Sequence, residues 1–127
     1  MKDVKRFTDY IFSIEPFTSR KDDFNVWAVE NISEESGVDI PQHGIWRYSA
    51  MESTFDTFYT DRYLTIFDHH KVADAASCSP FDALIVIANE EKYGGGGIYN
   101  SYAMGTADDP QALGVIIHEF GHHFAGL

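Results

Sequence analysis

The sequence predicts an α/β fold in which a mixed, twisted sheet packs against long helices. Apolar residues between Val4 and Ile14 recur at three- and four-residue steps, which is the period of one face of a helix. The run from Ala83 to Ala88 is continuously apolar and rich in β-branched residues, as in a strand covered on both faces. Since helix and strand patterns alternate along the chain, we expect both kinds of element to share one core.

The first third of the chain predicts a helix, a buried strand and a loop. The helix from Val4 to Ile14 should end before Pro16, because proline cannot continue a helix. Residues 24–29, Phe-Asn-Val-Trp-Ala-Val, are β-branched and aromatic, which favours a buried strand. Residues 32–42 contain Ser, Gly and Pro without a sustained period, so we predict a loop there.

The middle of the chain predicts two strands separated by a helix. Phe55, Tyr59 and their neighbours are rich in Thr, Phe and Tyr, which favours a short strand. Asp61 is a suitable cap for a helix that runs from about Arg62 to Ala76. Residues 83–88 form the clearest strand, and their continuous apolar character predicts a central place in the sheet.

The last third predicts a turn, an edge strand and a final helix. The glycines at 94–97 indicate a flexible turn, and residues 98–104 an edge strand. The glycines would equally allow another peptide backbone to approach this edge, where it could add as a further strand. Residues 108–110, Asp-Asp-Pro, should open the final helix, with a capping carboxylate ahead of proline in the first turn. Gly126 should adopt the left-handed conformation that ends a helix.

Composition and charge restrict the function. A chain of 127 residues with 44% hydrophobic residues fits a single domain, residues 1–127, with one core. The formal net charge of −11 argues against nucleic acid as a partner, because phosphate binding requires clustered Lys and Arg. No apolar run approaches the roughly 18 residues of a membrane span, and the chain as given starts without a signal peptide.

The predicted final helix contains His118-Glu119-Phe120-Gly121-His122. Residues four positions apart lie about 40° from each other around a helix, so His118 and His122 can bind one metal ion. Glu119, beside them, can reach a water on that ion without being a ligand, which is typical of a zinc peptidase. In that mechanism zinc activates the water, and Glu119 acts as the general base that removes its proton. His123 points elsewhere around the helix and is expected to be packed or solvent-facing.

Four stretches of the sequence together resemble the bacterial IgA-type metallopeptidases of family M64: residues 24–29, 33–41, 93–100 and 118–122. The resemblance implies a metzincin-like catalytic domain with the active-site helix at the C-terminal end of its N-terminal subdomain. It implies that His118 and His122 bind Zn²⁺ and that Glu119 is catalytic. It also implies a secreted or cell-envelope protein that cleaves proteins or peptides, with immunoglobulin A as one candidate substrate.

The third protein ligand of the zinc is expected beyond Leu127, in sequence that would complete the catalytic domain. We therefore predict a truncated catalytic domain of a zinc-dependent endopeptidase. The alternative is a catalytically inactive, peptidase-like domain that acts only as a binding or structural module.

Two other clusters carry weaker predictions. Asp68-His69-His70 resembles a metal-binding motif of phosphoesterases, but the upstream Asp-x-Asp that such a two-metal site needs is missing, so a solvated helix end is favoured. In the phosphoesterase interpretation, residues 63–67 would form a strand that leads into the motif. The acidic residues of loop 32–42 match no calcium-loop spacing, which favours a solvated loop.

Overall fold

The computed structural model describes every residue from Met1 to Leu127, with three α-helices and two small sheets. The helices are α1 (Lys2–Ile11), α2 (His69–Ala76) and α3 (Ala112–Ala125), and the strands are β1 (Ser53–Thr54), β2 (Thr65–Ile66), β3 (Ile85–Ala88), β4 (Gly95–Ile98) and β5 (Tyr102–Thr106).

Strand β5 lies at the centre of a three-stranded mixed sheet. It pairs in parallel with β3 and antiparallel with β4, so that Ile85 and Gly97 lie on opposite sides of Ala103. Every residue of β5 is buried, as expected for a strand with neighbours on both sides. The mixed α/β character predicted from the sequence is therefore confirmed.

Different apolar clusters cover the two faces of this sheet. On one face, Ile85 and Ile87 pack against Phe7 of α1 and Ile116 of α3. The other face contacts a larger cluster: Val38, Ile40, Phe55, Leu64, Ile66, Val72, Tyr102 and Met104. Helix α3 therefore lies across one face of the sheet, and its apolar residues hold it there.

Tyr102 joins the central strand to the second, two-stranded sheet of β1 and β2. Its fully buried hydroxyl donates a hydrogen bond to the carbonyl of Ile66 (3.0 Å) and accepts one from the Ile66 N–H (2.8 Å). Burial raises the pKa of this hydroxyl, while the hydrogen bond to Ile66 opposes that rise. The two sheets are therefore tied together by a neutral side chain with both hydrogen-bonding roles satisfied.

Two sequence predictions about this sheet and its helices are corrected. Strand β3 is covered on both faces as predicted, but it lies at the edge of the sheet and β5 takes the centre. A continuous apolar run indicates that both faces of a strand are covered. It does not indicate how many strands lie beside that strand. The helices are also shorter than predicted, with 10, 8 and 14 residues.

The predicted strand at residues 24–29 is not formed. This segment has no regular secondary structure, and residues 25–32 make no backbone–backbone hydrogen bond. Val26 and Trp27 are more than half exposed, at the rim of an apolar groove of about 920 Å³ that β3 also lines. β-branched and aromatic residues fit a pleated surface, but a strand also requires a pairing partner.

The predicted helix from Arg62 to Ala76 is wrong in its first half. Residues 65 and 66 form β2, and α2 begins only at His69, after Asp68. The Asp68 carboxylate accepts hydrogen bonds from the N–H groups of His70 (3.1 Å) and Lys71 (3.4 Å), so Asp68, and not Asp61, is the cap. The strand predicted around Phe55 and Tyr59 lies just upstream instead, at β1.

The glycine segment predicted as a turn is strand β4. The turn follows it, at residues 99–101, and the predicted edge strand 98–104 is divided between the end of β4 and the start of the central strand β5. Glycines carry no side-chain pattern, so periodicity cannot detect a strand that consists mostly of glycine. Glycine inside a strand marks a place where another backbone comes close.

That neighbouring backbone belongs to helix α3. A Cβ added to Gly97 would lie 2.4 Å from the carbonyl oxygen of Glu119 and 2.9 Å from the Cβ of His122. A Cβ on Gly95 would lie 2.6 Å from a methyl group of Val115 and 3.1 Å from Cγ of Glu119. The missing side chains of β4 therefore allow α3 to lie directly against the sheet.

We predict that Gly97→Ala lowers the free energy of unfolding by about 1–3 kcal/mol, because the added methyl group overlaps the α3 backbone and forces the helix away from β4. Urea unfolding followed by circular dichroism measures the change.

The matched control is Gly114→Ala, inside α3, where nothing lies within 4 Å of the added Cβ. Alanine has the higher helix propensity, so this variant should gain about 0.5–1 kcal/mol. Equal stability changes at the two glycines would contradict close packing of α3 on β4.

Candidate active site

Helix α3 brings two imidazole rings together on its solvent-facing side. The Nε2 atoms of His118 and His122 lie 3.0 Å apart, and the ring planes are nearly perpendicular, at 89°. The two ring nitrogens therefore converge on one point at the surface of the helix.

This arrangement fits a zinc ion. Two nitrogen ligands at about 2.0–2.1 Å from a tetrahedral zinc lie roughly 3.3 Å apart, close to the separation of the two Nε2 atoms here. No group of three or more His, Cys, Asp or Glu side chains in the 127 residues is placed to hold one ion.

Glu119 lies beside the histidines and is partly buried. Burial raises the pKa of its carboxyl group, and electrostatic interaction with His118, His122 and Arg62 lowers it in turn. Its backbone is pressed against Gly97, and its Cγ lies beside Gly95. The carboxylate is thus held where the helix and the edge of the sheet meet.

A cleft of about 630 Å³ opens in front of these three residues. One wall is α3, the floor is β4, and the opposite wall comes from the segment 60–63 that precedes β2. That segment is fixed to the sheet, because Gly95 donates its N–H to the Arg62 carbonyl (3.2 Å) and accepts from the Leu64 N–H (3.0 Å).

The opposite face of α3 anchors the helix through aromatic rings. Phe120, inside the His-Glu-Phe-Gly-His motif, is buried and stacks on Phe124 with ring centroids 5.2 Å apart. Phe17, from the segment after α1, packs against both rings, at 5.5 Å and 6.2 Å. Aromatic contacts of this kind stabilise the position of the helix that carries the site.

His123 is buried and belongs to the core. Its Nε2 accepts a hydrogen bond from the Leu84 N–H (3.0 Å), so its proton is on Nδ1, which donates to the Ile98 carbonyl (3.2 Å). Burial lowers the pKa of this ring, partly offset by the bond to Ile98. His123 therefore connects α3 to the start of β3 and the end of β4, which accords with the packed position expected for it.

The weaker clusters in the sequence make structural contacts. Asp68 caps α2, and Nδ1 of His69 lies 3.0 Å from the Ser101 hydroxyl. In the acidic loop, carboxylate oxygens of Asp39 and Glu35 accept hydrogen bonds from the backbone N–H groups of Arg47 and Tyr48. These contacts are consistent with the helix-end and loop roles favoured from the sequence.

Sequence reasoning missed two contributions to the site. The sequence predicts a turn or a place of peptide approach at the glycines of β4, and it does not predict that their missing side chains let α3 lie close. It predicts Arg62 at the start of a helix, whereas Arg62 lies in the wall of the cleft near Glu119. No local sequence pattern indicates the close approach of α3 or the position of Arg62, because both depend on segments that lie far apart in sequence.

The sequence matches the family described as IgA Peptidase M64 over residues 1–127, the whole chain, and the protein therefore belongs to that family. The family is one of metallopeptidases, so membership implies use of a metal and a protein or peptide substrate. A search of curated proteins gave no match. None of the three helices is long and apolar enough to cross a lipid bilayer.

We predict that His123→Leu lowers the free energy of unfolding by about 1–3 kcal/mol, because leucine leaves the partly buried Leu84 N–H without an acceptor. Urea unfolding measures the loss. The control is His43→Leu at an exposed histidine without a side-chain hydrogen bond, where the change should stay within about 0.5 kcal/mol. A similar effect at both positions would contradict the role of His123.

Proposed function

We propose that this protein is a zinc-dependent endopeptidase and that His118, Glu119 and His122 form its catalytic centre. The observation that carries the proposal is the convergence of two imidazole Nε2 atoms, 3.0 Å apart, beside a partly buried carboxylate at the edge of a cleft. Membership in a metallopeptidase family supports it.

His118 and His122 would hold the ion through Nε2, since both rings turn that atom toward the same point. When bound, zinc supplies Lewis-acid chemistry, in that it polarises the scissile carbonyl and makes water easier to deprotonate. A catalytic zinc usually has three protein ligands, and His118 and His122 are the two that the structure brings together.

Glu119 is proposed as the general base and then the general acid. Its carboxylate removes a proton from the attacking water and passes that proton to the amine that leaves when the peptide bond breaks. Contact of its backbone with Gly97 fixes the point from which the side chain extends beside the two histidines.

The substrate is proposed to bind as an extended peptide along β4. Gly95 directs its N–H and C=O away from β5, toward residues 62–64. Gly97, two residues further along the strand, directs its own pair toward the same side, where the cleft is open. Peptide backbone can add to such an edge as another strand.

The finer features of the family resemblance remain proposals. We infer a metzincin-like catalytic domain, supported by a mixed sheet against the helix that carries the histidines. We propose that the protein acts outside the cell or in the bacterial envelope, with immunoglobulin A as one candidate substrate. The competing hypothesis is a non-catalytic binding module. Measurements of zinc binding and of hydrolysis distinguish such a module from an enzyme.

We expect that replacing either His118 or His122 by Ala weakens zinc binding by about a hundredfold or more, because each removes one of the two convergent imidazoles. Competition with a chromogenic chelator measures the affinity. His69→Ala and His70→Ala are the controls and should bind zinc as the unmodified chain does. Unchanged affinity in either His118 or His122 variant would refute the assignment.

We expect Glu119→Gln to keep its zinc and to lose peptidase activity by about 10²-fold or more, because an amide cannot accept the proton of the attacking water. Zinc content and hydrolysis of a fluorescent casein substrate are measured on the same samples. Activity equal to that of the unmodified protein would show that the base lies elsewhere. If the unmodified protein holds zinc at full occupancy and still hydrolyses no substrate, the non-catalytic hypothesis is supported.

A further inference from the structure

Arg62 is the one Lys or Arg among the residues that line the cleft. Glu119 is the one carboxylate there, and the remaining lining residues besides the two metal-binding candidates are neutral. A single cation therefore faces the space in which a substrate would lie.

The guanidinium of Arg62 has no ion-pair partner, although the chain has 20 acidic residues against nine basic ones. Its neighbour Asp61 is the obvious candidate, but that carboxylate binds Lys92 Nζ at 2.9 Å. Lys92 is itself held over the ring of Phe55, with its Nζ 4.6 Å from the ring centroid. The Arg62 guanidinium in the cleft is thus free to bind a ligand, although the protein has an excess of carboxylates.

The backbone of Arg62 is fixed, although its side chain is exposed. Its carbonyl accepts the Gly95 N–H at 3.2 Å, and Leu64, two residues later, donates to the Gly95 carbonyl at 3.0 Å. These bonds tie the segment to β4, the strand proposed to bind the substrate. The side chain therefore starts from a fixed point in the wall opposite α3.

We propose that Arg62 is a specificity-determining residue that binds a carboxylate of the peptide substrate. The inference rests on the proposed peptidase function and adds a substrate class to it. A guanidinium presents parallel N–H donors that match the two oxygens of a carboxylate, which gives geometric selectivity as well as charge attraction. That carboxylate has two possible sources, an acidic side chain and the C-terminus of the peptide.

The rival role for Arg62 is to act on Glu119 alone, since its charge is close enough to influence that carboxylate. The two roles predict different kinetics. A residue that binds substrate affects acidic substrates and spares neutral ones, whereas a residue that acts on the base lowers the turnover of all substrates equally.

The experiment uses four pools of dye-labelled, internally quenched peptides. Two pools contain Asp and Glu at randomised positions, and two contain Asn and Gln at the same positions. Within each pair, one pool has a free C-terminal carboxylate and the other a C-terminal amide. Hydrolysis by the zinc-loaded chain gives kcat/KM for each pool. Fluorescence anisotropy with Glu119→Gln gives binding without turnover.

The variants are Arg62→Gln and Arg62→Lys. The matched control is Arg47→Gln, which removes another exposed arginine without an ion pair, in this case outside the cleft. Each change is also combined with Glu119→Gln for the binding measurement. Thermal unfolding shows whether the variants fold normally, as expected when only an exposed side chain changes.

We expect the unmodified chain to prefer one carboxylate-bearing pool over its neutral partner by about tenfold, a size suited to a partly exposed charge-assisted contact. Arg62→Gln should abolish the preference, Arg62→Lys should retain part of it, and Arg47→Gln should leave it intact. Preference for Asp and Glu identifies a side chain as the source, and preference for the free acid identifies the C-terminus.

Absence of any preference, or an equal loss on all pools in Arg62→Gln, would overturn the proposal. If the unmodified chain holds zinc at full occupancy but hydrolyses no pool, the peptidase function fails, and the binding measurement still decides the role of Arg62. Binding of no pool at all would also overturn it.

Discussion

The contact between α3 and β4 is the constraint on which the site depends. Helix α3 carries both histidines and the catalytic glutamate proposed here, and β4 forms the floor of the cleft. The two approach closely because Gly95 and Gly97 have no side chains, so that the Glu119 carbonyl and the His122 Cβ lie where methyl groups would otherwise be. One strand thereby packs against the helix and leaves an open edge next to the proposed metal site.

The same helix is fixed from behind by two different interactions. Phe120 joins an aromatic cluster with Phe17 and Phe124, and His123 forms hydrogen bonds to β3 and β4. The residues of the motif His-Glu-Phe-Gly-His, together with His123 that follows it, therefore have different roles on different sides of the helix. His118, Glu119 and His122 face the cleft, while Phe120 and His123 hold the helix on the sheet.

Charge in the cleft is sparse and differs from that of the whole molecule. The chain carries a formal charge of −11, yet the cleft contains one carboxylate and one guanidinium. Burial disfavours the ionised form of Glu119, whereas electrostatic interaction with the two histidines and Arg62 favours that form. This balance, together with the free guanidinium of Arg62, gives the cleft an electrostatic character suited to a peptide with a negative group.

The sequence by itself determined the helical face shared by His118 and His122, the left-handed Gly126 at the end of α3, and the family, because these follow from local spacing and motifs. Tertiary structure decided the rest: β5 and not β3 lies at the centre, Asp68 and not Asp61 caps α2, and Arg62 lies in the cleft. The glycines predicted as a turn form strand β4, and residues 24–29, predicted as a strand, have no pairing partner. The physical reason is that helix spacing and capping act within a few residues, whereas strand pairing and cleft walls depend on contacts between distant segments.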